Sequence, residues 1–316
     1  MNESIAPSWK CEKVIAVSNV NNWHEFVALI ETDFLDWNEY IFRGQKDSSW
    51  PLRPKFDREY RGAKKLLAET NPLKGLNPQE IGLVEQSNPK LTLDARSVLL
   101  DRLLDRFKKA CTGRRGHSPK SLSDIEWWAL GQHFGLATPL LDWTQSPYVA
   151  AYFALAEPDL NSNANRAVWA YSHDGMKDIF INSVEFDEEN LDLSDAIEVV
   201  FGLIDENSRI ISQSGLFTKT PNGEDIEEFI ANKINLTGMS PILYKIEIPN
   251  SQREAFMRHL ESMNIHAGSL FPDIVGAAEF ANRGLECESS DLLWKAQPSF
   301  IRRMLSNDAY HDNSKA

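Results

Sequence analysis

The chain has 316 residues, of which 42% are hydrophobic and 25% are charged, and this composition is typical of a folded globular protein rather than a disordered or fibrous one. Thirty-three Lys and Arg residues against 46 Asp and Glu residues give a formal net charge of -13. This total argues against a general nucleic-acid coat protein or an anionic-membrane binder, since both depend on excess positive charge. A local basic groove remains compatible with it.

The cysteines indicate a reducing compartment. Cys11, Cys111 and Cys287 stand far apart, are odd in number and show no CxxC spacing. We interpret them as reduced thiols and predict a cytoplasmic protein. No apolar run approaches the roughly 18 residues that cross a bilayer, and the first ten residues are polar, so we expect no signal peptide, no transmembrane helix and no membrane partner.

The first half of the chain predicts mainly helices. Residues 22–36 carry a helical apolar stripe, with Asn22 and Glu25 as a cap pair, and residues 38–44 alternate as a short strand that ends in Arg43 and Gly44. Residues 94–111 repeat apolar side chains at helical spacing, which indicates an amphipathic helix.

Two further helices have clear start signals. Ser123 and Glu126 form a capping-box pattern at the start of a helix that ends near Gly135. Ser146 followed by Pro147 is typical of an N-cap with proline at the first helical position, and it opens a short, nearly all-apolar helix. Because that helix is apolar, we expect polar function just before it.

The second half is richer in predicted strands. Residues 167–171, 208–212 and 242–248 have strand patterns, Ser251 with Glu254 predicts a helix running to about Met263, and another helix opens near Gly268. With no internal repeat and no long linker, one α+β domain with helical insertions is the simplest interpretation. We expect a helical segment at residues 1–36 packed on the domain, the domain itself at 37–285, and an extension with a frayed tail at 286–316.

Common catalytic motifs are missing. The sequence lacks GxxxxGK[ST], GxGxxG, HExxH and GxSxG, and its seven histidines have no metal-ligand spacing, so we predict no bound metal. What remains is a polar cluster inside apolar sequence, made of Gln132, His133, Thr138, Asp142, Thr144 and Ser146. Buried polar groups need partners, so this cluster is either an internal hydrogen-bond network or a ligand pocket.

Several ordered motifs resemble the FRG domain family. They are Phe42-Arg43-Gly44-Gln45, Trp50 to Pro54, Trp128 to Ala154, Arg209 to Thr218 and Ser269 to Gly276, and they span about residues 40–280. One departure is Pro139, where many members have arginine before the Leu-Leu-Asp-Trp-Thr stretch, so no anion contact is transferred to that position.

The order of the FRG motifs is similar to that of ADP-ribosyltransferases. The resemblance implies an ADP-ribosyltransferase-like split β-sheet that binds NAD in a cleft, with Arg43 on the first strand, Thr144 before a buried helix, and Gln213 on a later strand. It also implies a catalytic set and an NAD-binding set. The catalytic candidates are Arg43, Thr144, Gln213, Asp142 and His133, and the binding candidates are Arg43, Gly44, Gln45, Thr144, Trp143 and Tyr148.

The residue types fit this chemistry. Cleavage of the nicotinamide–ribose bond develops positive charge on the sugar, and an arginine fork suits the pyrophosphate. Thr144 could orient the ribose or Gln213, and Trp143 and Tyr148 could stack on nicotinamide or fill the core. Gln213 stands where protein-directed transferases have glutamate, and an amide is no general base, so Asp142, Asp273 or His133 would take that role, or the target needs none.

Three functions follow from the resemblance. The first is an NAD-dependent mono-ADP-ribosyltransferase acting on protein or nucleic acid, as a toxin or antiphage defence effector. The second is a non-catalytic nucleotide-binding interaction module, and the third is an NAD glycohydrolase. Nucleic acid as acceptor would draw on the basic run from Arg102 to Lys120.

Overall fold

A computed structural model describes residues 8–12, 15–34, 39–70, 95–116, 119–159, 163–173, 197–201, 208–233 and 241–295. Within these ranges the protein is a mixed α+β structure, as the sequence predicts. Residues 185–206 are rich in Asp and Glu, and only residues 197–201 of this stretch are described. The predicted frayed tail also lies outside the described residues.

The described strands form one eight-stranded sheet in the order β1-β2-β8-β5-β3-β4-β7-β6. The strands are β1 (Lys10–Glu12), β2 (Ile15–Asn19), β3 (Tyr40–Gln45), β4 (Leu141–Thr144), β5 (Arg166–Ser172), β6 (Glu198–Phe201), β7 (Gly215–Lys219) and β8 (Leu243–Ile248). β2 and β8 pair in parallel, and the other neighbours pair antiparallel.

Ten helices are described along the chain. They are α1 (Trp23–Asp33), α2 (Lys55–Thr70), α3 (Ala95–Ala110), α4 (Asp124–His133), α5 (Pro147–Leu155), α6 (Ser208–Ser212), α7 (Ile226–Lys233), α8 (Arg253–Ser262), α9 (Ala267–Leu270) and α10 (Ile274–Lys295). The chain divides into two compact units, Met1–Met263 and Asn264–Ala316. The first contains the whole sheet and α1–α8, and the second contains α9 and α10. The three-part division expected from the sequence stays a prediction.

Three of the predicted helix caps are confirmed. The side chain of Asn22 accepts from the main-chain N–H of Glu25, and Ser123 and Glu126 complete a reciprocal capping box at the start of α4. Ser146 caps α5 in the same way through the N–H of Val149, with Pro147 at the first helical position. Each side-chain oxygen satisfies an N–H that a helix start leaves unpaired.

Strand β3 packs directly against helix α5 through Gly44. A Cβ atom at this position would lie 2.0 Å from the carbonyl oxygen of Ala150 and 2.4 Å from the main-chain N of Ala154. Glycine therefore permits a backbone-to-backbone approach that any other residue would block. The other face of β3 contributes Ile41 to a core cluster that also contains Leu52, Leu141, Trp143, Trp169, Tyr171, Leu216, Phe229, Ile230 and Leu243.

Two predictions from the second half are wrong. Residues 208–212 form the short helix α6 rather than a strand, and Ser214 follows it with φ of 46° before β7 begins. The two isoleucines at 210 and 211 suggest a strand, but the left-handed turn at Ser214 closes the helix instead. Ser251 lies in a short 3₁₀ turn, and α8 begins at Arg253 without a side-chain cap.

The amino-terminal region also differs from expectation. The sequence pattern predicts only a helix before residue 37, whereas β1 and β2 precede that helix and extend the sheet beyond β8. Strand β2 has only five residues, and its central residues Ala16, Val17 and Ser18 are all buried. The sequence therefore lacks the alternation of polar and apolar residues that would predict a strand.

Candidate functional site

Strands β3 and β4 share fewer paired residues than the other neighbouring strands of the described sheet. These strands share one paired position, Phe42 with Thr144, whereas β3 pairs with β5 over six positions from Tyr40 to Gln45. The sheet thus has two well-paired parts that meet over one residue pair. We call the side chains of Arg43, Gln132 and Asp142 at this place the β3–β4 junction.

Arg43 joins the two parts with its side chain. Its Nη1 donates to the main-chain oxygen of Asp142 at 2.6 Å and lies 3.8 Å from the Asp142 carboxylate oxygen Oδ2. Its Nε is buried and has no hydrogen-bond partner among the described residues. A guanidinium has five N–H donors, so Arg43 keeps donor capacity beyond its contacts with Asp142.

A second cation lies within electrostatic reach of Arg43. Burial lowers the pKa of the Arg43 guanidinium, the Asp142 carboxylate opposes that shift, and the charge of Arg58 on α2 adds to the lowering. Arginine remains protonated at neutral pH even so. Arg58 is exposed and donates through Nη1 to the main-chain oxygen of Arg53 at 2.8 Å. Two like charges held together favour an anion beside them.

Asp142 is oriented by an amide. Its side chain is 59% exposed, and Nε2 of Gln132 donates to its Oδ2 at 2.9 Å. The fully buried hydroxyl of Thr138 donates to Oε1 of the same amide, which fixes which end of Gln132 faces the carboxylate. The hydroxyl of Thr138 also accepts from the N–H of Leu140 at 3.3 Å. Part of the predicted polar cluster is therefore a connected hydrogen-bond network.

The side chain of Thr144 makes hydrogen bonds to main-chain groups. Its buried hydroxyl donates to the carbonyl of Gln213 at 2.6 Å and accepts from the N–H of Ser146 at 3.1 Å. Gln213 itself lies in the turn between α6 and β7 rather than on a strand. The sequence predicts that Thr144 orients either the ribose or Gln213. The structure has a contact of the second kind, made by the Thr144 hydroxyl to the main-chain oxygen of Gln213.

Two predicted NAD-binding residues lie in the core. Gln45 is 5% exposed, its Oε1 accepts from the indole N–H of Trp169 at 2.8 Å, and its Nε2 donates to the carbonyl of Pro51 at 3.3 Å. Trp143 is buried, and its indole N–H donates to the hydroxyl of Thr218 at 2.8 Å. Both side chains have packing and hydrogen-bond roles that account for their type.

The remaining predicted residues have other surroundings. Tyr148 packs against Trp23 and Phe26 of α1, and burial, together with Glu31, raises the pKa of its phenol. His133 ends α4, with its ring edge-on to that of Phe134 at 4.6 Å between centroids. Asp273, in the second unit, accepts from the N–H of Gly276 at 3.0 Å, which is the contact of a residue that caps a helix.

A second group of charged side chains lies around the start of α2 and includes residues from α3 and from the position before α7. We call Arg53, Asp57, Arg61, Arg96 and Asp225 the ion-pair cluster. Arg53 makes a two-pronged contact with Asp225, Arg61 approaches Asp225 at 3.6 Å, and Arg96 pairs with Asp57 at 2.6 Å. The hydrogen bond to Asp225 is the main cause of the raised pKa of Arg53. These pairs attach the start of α2 to α3 and to the residue before α7.

Sequence reasoning missed Arg58 and the structural use of Arg53. Arg53 belongs to the motif from Trp50 to Pro54, but its partner Asp225 is 172 residues away, so no local spacing indicates the pair. Arg58 lies one helical turn after Pro54, and its nearness to Arg43 depends on how the ion-pair cluster holds α2. The sequence places Gln132 in the polar cluster but gives no signal that it contacts Asp142.

No helix in the described part of the chain is long and apolar enough to cross a bilayer. No group of three or more His, Cys, Asp or Glu side chains among the same residues has an arrangement suited to a metal ion.

Comparison with known proteins identifies the class. A mixed α+β protein with an arginine-containing junction in its sheet matches the FRG domain model over residues 38–163, and this part of the chain is an FRG domain. That range contains β3, β4, α5 and the whole β3–β4 junction. The resemblances at residues 209–218 and 269–276 lie beyond it and stay predictions. No curated protein and no solved structure matches the chain.

Proposed function

We propose that the chain is an NAD-dependent mono-ADP-ribosyltransferase that binds NAD at the β3–β4 junction. The observation that carries the proposal is Arg43, a cation with unused donors at the place where the described strands β3 and β4 are joined by a single residue pair. The order of Arg43 on a strand, Thr144 at a strand end and a buried helix beginning at Pro147 supports it. An ADP-ribosyltransferase-like split sheet is part of the same proposal.

Arg43 and Arg58 supply the charge that NAD requires. The pyrophosphate of NAD carries two negative charges, and a planar guanidinium can meet two phosphate oxygens at once. The protein as a whole has a net charge of -13, so a local pair of arginines is needed to attract an anionic substrate. Arg43 then binds the pyrophosphate, and Arg58 adds to the attraction.

The turn after α6 would contact the ribose. Thr144 holds the main chain of Gln213 at 2.6 Å, and Ser214 has a left-handed backbone, so the position of this turn is fixed by two constraints. The Gln213 amide can orient a ribose hydroxyl by hydrogen bonding. It cannot accept a proton as a general base, so the proton of the acceptor must leave by another route.

The acceptor is a protein or a nucleic acid, and the exposed face of α3 supports testing the second. Arg102 and Arg106 are exposed and one helical turn apart, and neither has an ion-pair partner among the described residues. Lys108 and Lys109, by contrast, pair with Asp124 and Asp105. Binding to RNA or DNA through this face would weaken as salt increases. A cytoplasmic toxin or antiphage defence effector is the cellular role that we attach to the proposal.

The amide at position 213 favours one alternative, a non-catalytic nucleotide-binding interaction module. Such a module needs the arginines but not a base, and it would bind NAD without releasing nicotinamide. An NAD glycohydrolase is a further alternative in which water replaces the macromolecular acceptor, and it would produce free ADP-ribose in the absence of any partner.

The test is incubation of the purified protein with adenylate-labelled NAD, alone and with cell lysate, RNA or DNA. Nicotinamide release and label transfer are followed by mass spectrometry for the wild type and for Arg43→Ala and Arg58→Ala. We expect release or transfer by the wild type, loss in Arg43→Ala and weaker activity in Arg58→Ala. Arg258→Ala is the matched control, since Arg258 is an exposed surface arginine paired with Glu254 within α8. Activity of Arg43→Ala equal to that of the control would contradict the proposal.

A further inference from the structure

The β3–β4 junction contains a carboxylate that the roles assigned so far leave unused. Asp142 contacts Arg43 through its main-chain oxygen and Gln132 through Oδ2. Its other oxygen, Oδ1, has no hydrogen-bond partner within the described residues, and the side chain is 59% exposed. A carboxylate that is fixed on one side and open on the other can accept a proton from a bound molecule.

Gln132 gives this carboxylate its orientation. The amide of Gln132 is itself held by two groups, the hydroxyl of Thr138 on its oxygen and the carbonyl of Leu140 at 3.4 Å from its nitrogen. Thr138 is fully buried, and its main-chain oxygen accepts from the N–H of Phe56 at 3.1 Å. A rigid chain of contacts therefore runs from the start of α2 through Thr138 and Gln132 to Asp142.

We infer that Asp142 is the general base of the transfer reaction and that Gln132 is its positioning residue. The inference rests on the proposed function, and it supplies the proton acceptor that an amide at position 213 cannot be. Among the described carboxylates that the sequence suggested for this role, Asp273 accepts from the N–H of Gly276 as a helix cap. His133 lies at the end of α4, where its ring packs edge-on against that of Phe134.

The step is balanced as follows. The acceptor, an alcohol, amide, amine or water, forms a bond from its O or N atom to C1′ of the NAD ribose. The bond between C1′ and the nicotinamide nitrogen breaks, its electron pair stays on that nitrogen, and neutral nicotinamide leaves. The proton that the acceptor loses passes to Oδ1 of Asp142, and solvent later removes it.

A general base is needed only when the attacking nucleophile has a proton to lose. A nucleophile without a proton therefore distinguishes a general-base role of Asp142 from a purely structural one. We would measure NAD cleavage with water as the acceptor, and again with sodium azide, which attacks as an anion and needs no base. The proteins are the wild type, Asp142→Asn and Gln132→Ala. The controls are Asp105→Asn, which replaces a carboxylate of the same 59% exposure on α3, and Gln252→Ala, which removes an amide outside the junction.

We expect Asp142→Asn to lower kcat for NAD hydrolysis by about 100-fold, a typical contribution of a general base, with KM changed by less than about threefold. Formation of ADP-ribosyl azide should stay within about threefold of wild type. For Gln132→Ala we expect about a tenfold loss of hydrolysis and the same retention of azide transfer. Both controls should match the wild type with either nucleophile.

The contrary results are distinct. Wild-type hydrolysis in Asp142→Asn, or equal loss of hydrolysis and azide transfer in a variant with wild-type circular dichroism, would overturn the inference while leaving the proposed function standing. If Asp142→Asn does not fold, the pattern in Gln132→Ala decides in the same way. Failure of the wild type to release nicotinamide with water, with azide and with lysate, RNA or DNA as the acceptor would overturn the proposed function, and the inference with it.

Discussion

The ion-pair cluster and the β3–β4 junction are built from the same residue types but differ in how fully those residues are satisfied. In the cluster, the side chain of Asp225 is 5% exposed and accepts from both arms of Arg53, while Arg61 approaches it as well. In the junction, Asp142 is mostly exposed, and Arg43 keeps a buried Nε without a partner within the described residues.

The difference separates scaffold from site. A buried carboxylate with two arginines around it has no capacity left for a ligand, and removal of one partner would strand the others. An arginine with donors unused and a second cation nearby can bind an anion at little cost. Residue type alone therefore does not identify a site. Burial and the count of satisfied donors and acceptors do, and each of the following variants tests that distinction.

The largest effect should come from Asp225→Ala in the ion-pair cluster. Arg53 and Arg61 would lose their shared carboxylate, and unpaired buried charge costs about 3–5 kcal/mol of the free energy of unfolding. Because Arg53 remains partly exposed, we expect the lower end of this range. Urea unfolding monitored by tryptophan fluorescence measures the change. Asp105→Ala on α3 is the control, and an equal small change in both variants would contradict the structural role of the cluster.

Gly44→Ala should have the next largest effect. The added methyl would lie 2.0 Å from the carbonyl oxygen of Ala150, so β3 and α5 would have to separate. Overpacking of this kind costs about 1–3 kcal/mol. Thermal unfolding followed by circular dichroism checks it, with Gly62→Ala on the exposed side of α2 as the control, since a Cβ there meets nothing within 4 Å. Unchanged stability in Gly44→Ala would mean that β3 does not approach α5 this closely.

Glu227→Gln should give a smaller, pH-dependent gain in stability. Burial raises the pKa of Glu227, and both of its carboxylate oxygens lie 3.1 Å from the main-chain N of Leu52. A carboxyl whose pKa is raised on folding stabilises the fold below its unfolded pKa, and this contribution is lost as pH rises through the folded value. Glutamine keeps an acceptor without the charge.

The measurement for Glu227→Gln is Tm against pH. The difference between variant and wild type should be small near pH 4 and should grow in favour of the variant towards pH 7. Glu228→Gln is the matched control, because its hydrogen bond with Arg61 lowers the pKa of Glu228, so its effect should have the opposite sign. A Glu227→Gln difference that does not vary with pH would contradict the role of burial.

The smallest effect on stability should come from Asp142→Asn, in contrast to its predicted effect on catalysis. The ion pair with Arg43 is long, at 3.8 Å, and its carboxylate is mostly exposed, so we expect it to contribute about 0–1 kcal/mol. The main-chain oxygen that Arg43 contacts is unchanged by the substitution. Urea unfolding should therefore give nearly the wild-type midpoint. A loss comparable to that of Asp225→Ala would place Asp142 in the scaffold and remove the distinction between the two regions.

Much of the local structure was predictable from the sequence. The caps at Asn22, Ser123 and Ser146 use short-range pairs of residue types, and each was found as predicted. Alternation also assigned β3 correctly, with Ile41 in the core cluster and Gly44 against α5. These features depend on neighbours in sequence, so a pattern of a few residues contains the information.

The rest depends on distant parts of the chain. No spacing in the sequence relates Arg53 to Asp225. The local pattern at residues 208–212 favours a strand, although these residues form a helix that is followed by a left-handed turn at Ser214. Gln45 and Trp143 were expected to bind NAD because they belong to the FRG motifs. Their side chains have partners in the core, at Trp169 and Thr218, that only the three-dimensional structure reveals.

The most direct test of the account is a calorimetric titration of NAD into the wild type, Arg43→Ala and the surface control Arg258→Ala, with folding checked by circular dichroism. We predict saturable binding by the wild type and the control, and binding weakened by at least tenfold in Arg43→Ala. Equal binding by folded Arg43→Ala, or no binding by the wild type at millimolar NAD, would contradict the claim that the β3–β4 junction is the NAD site.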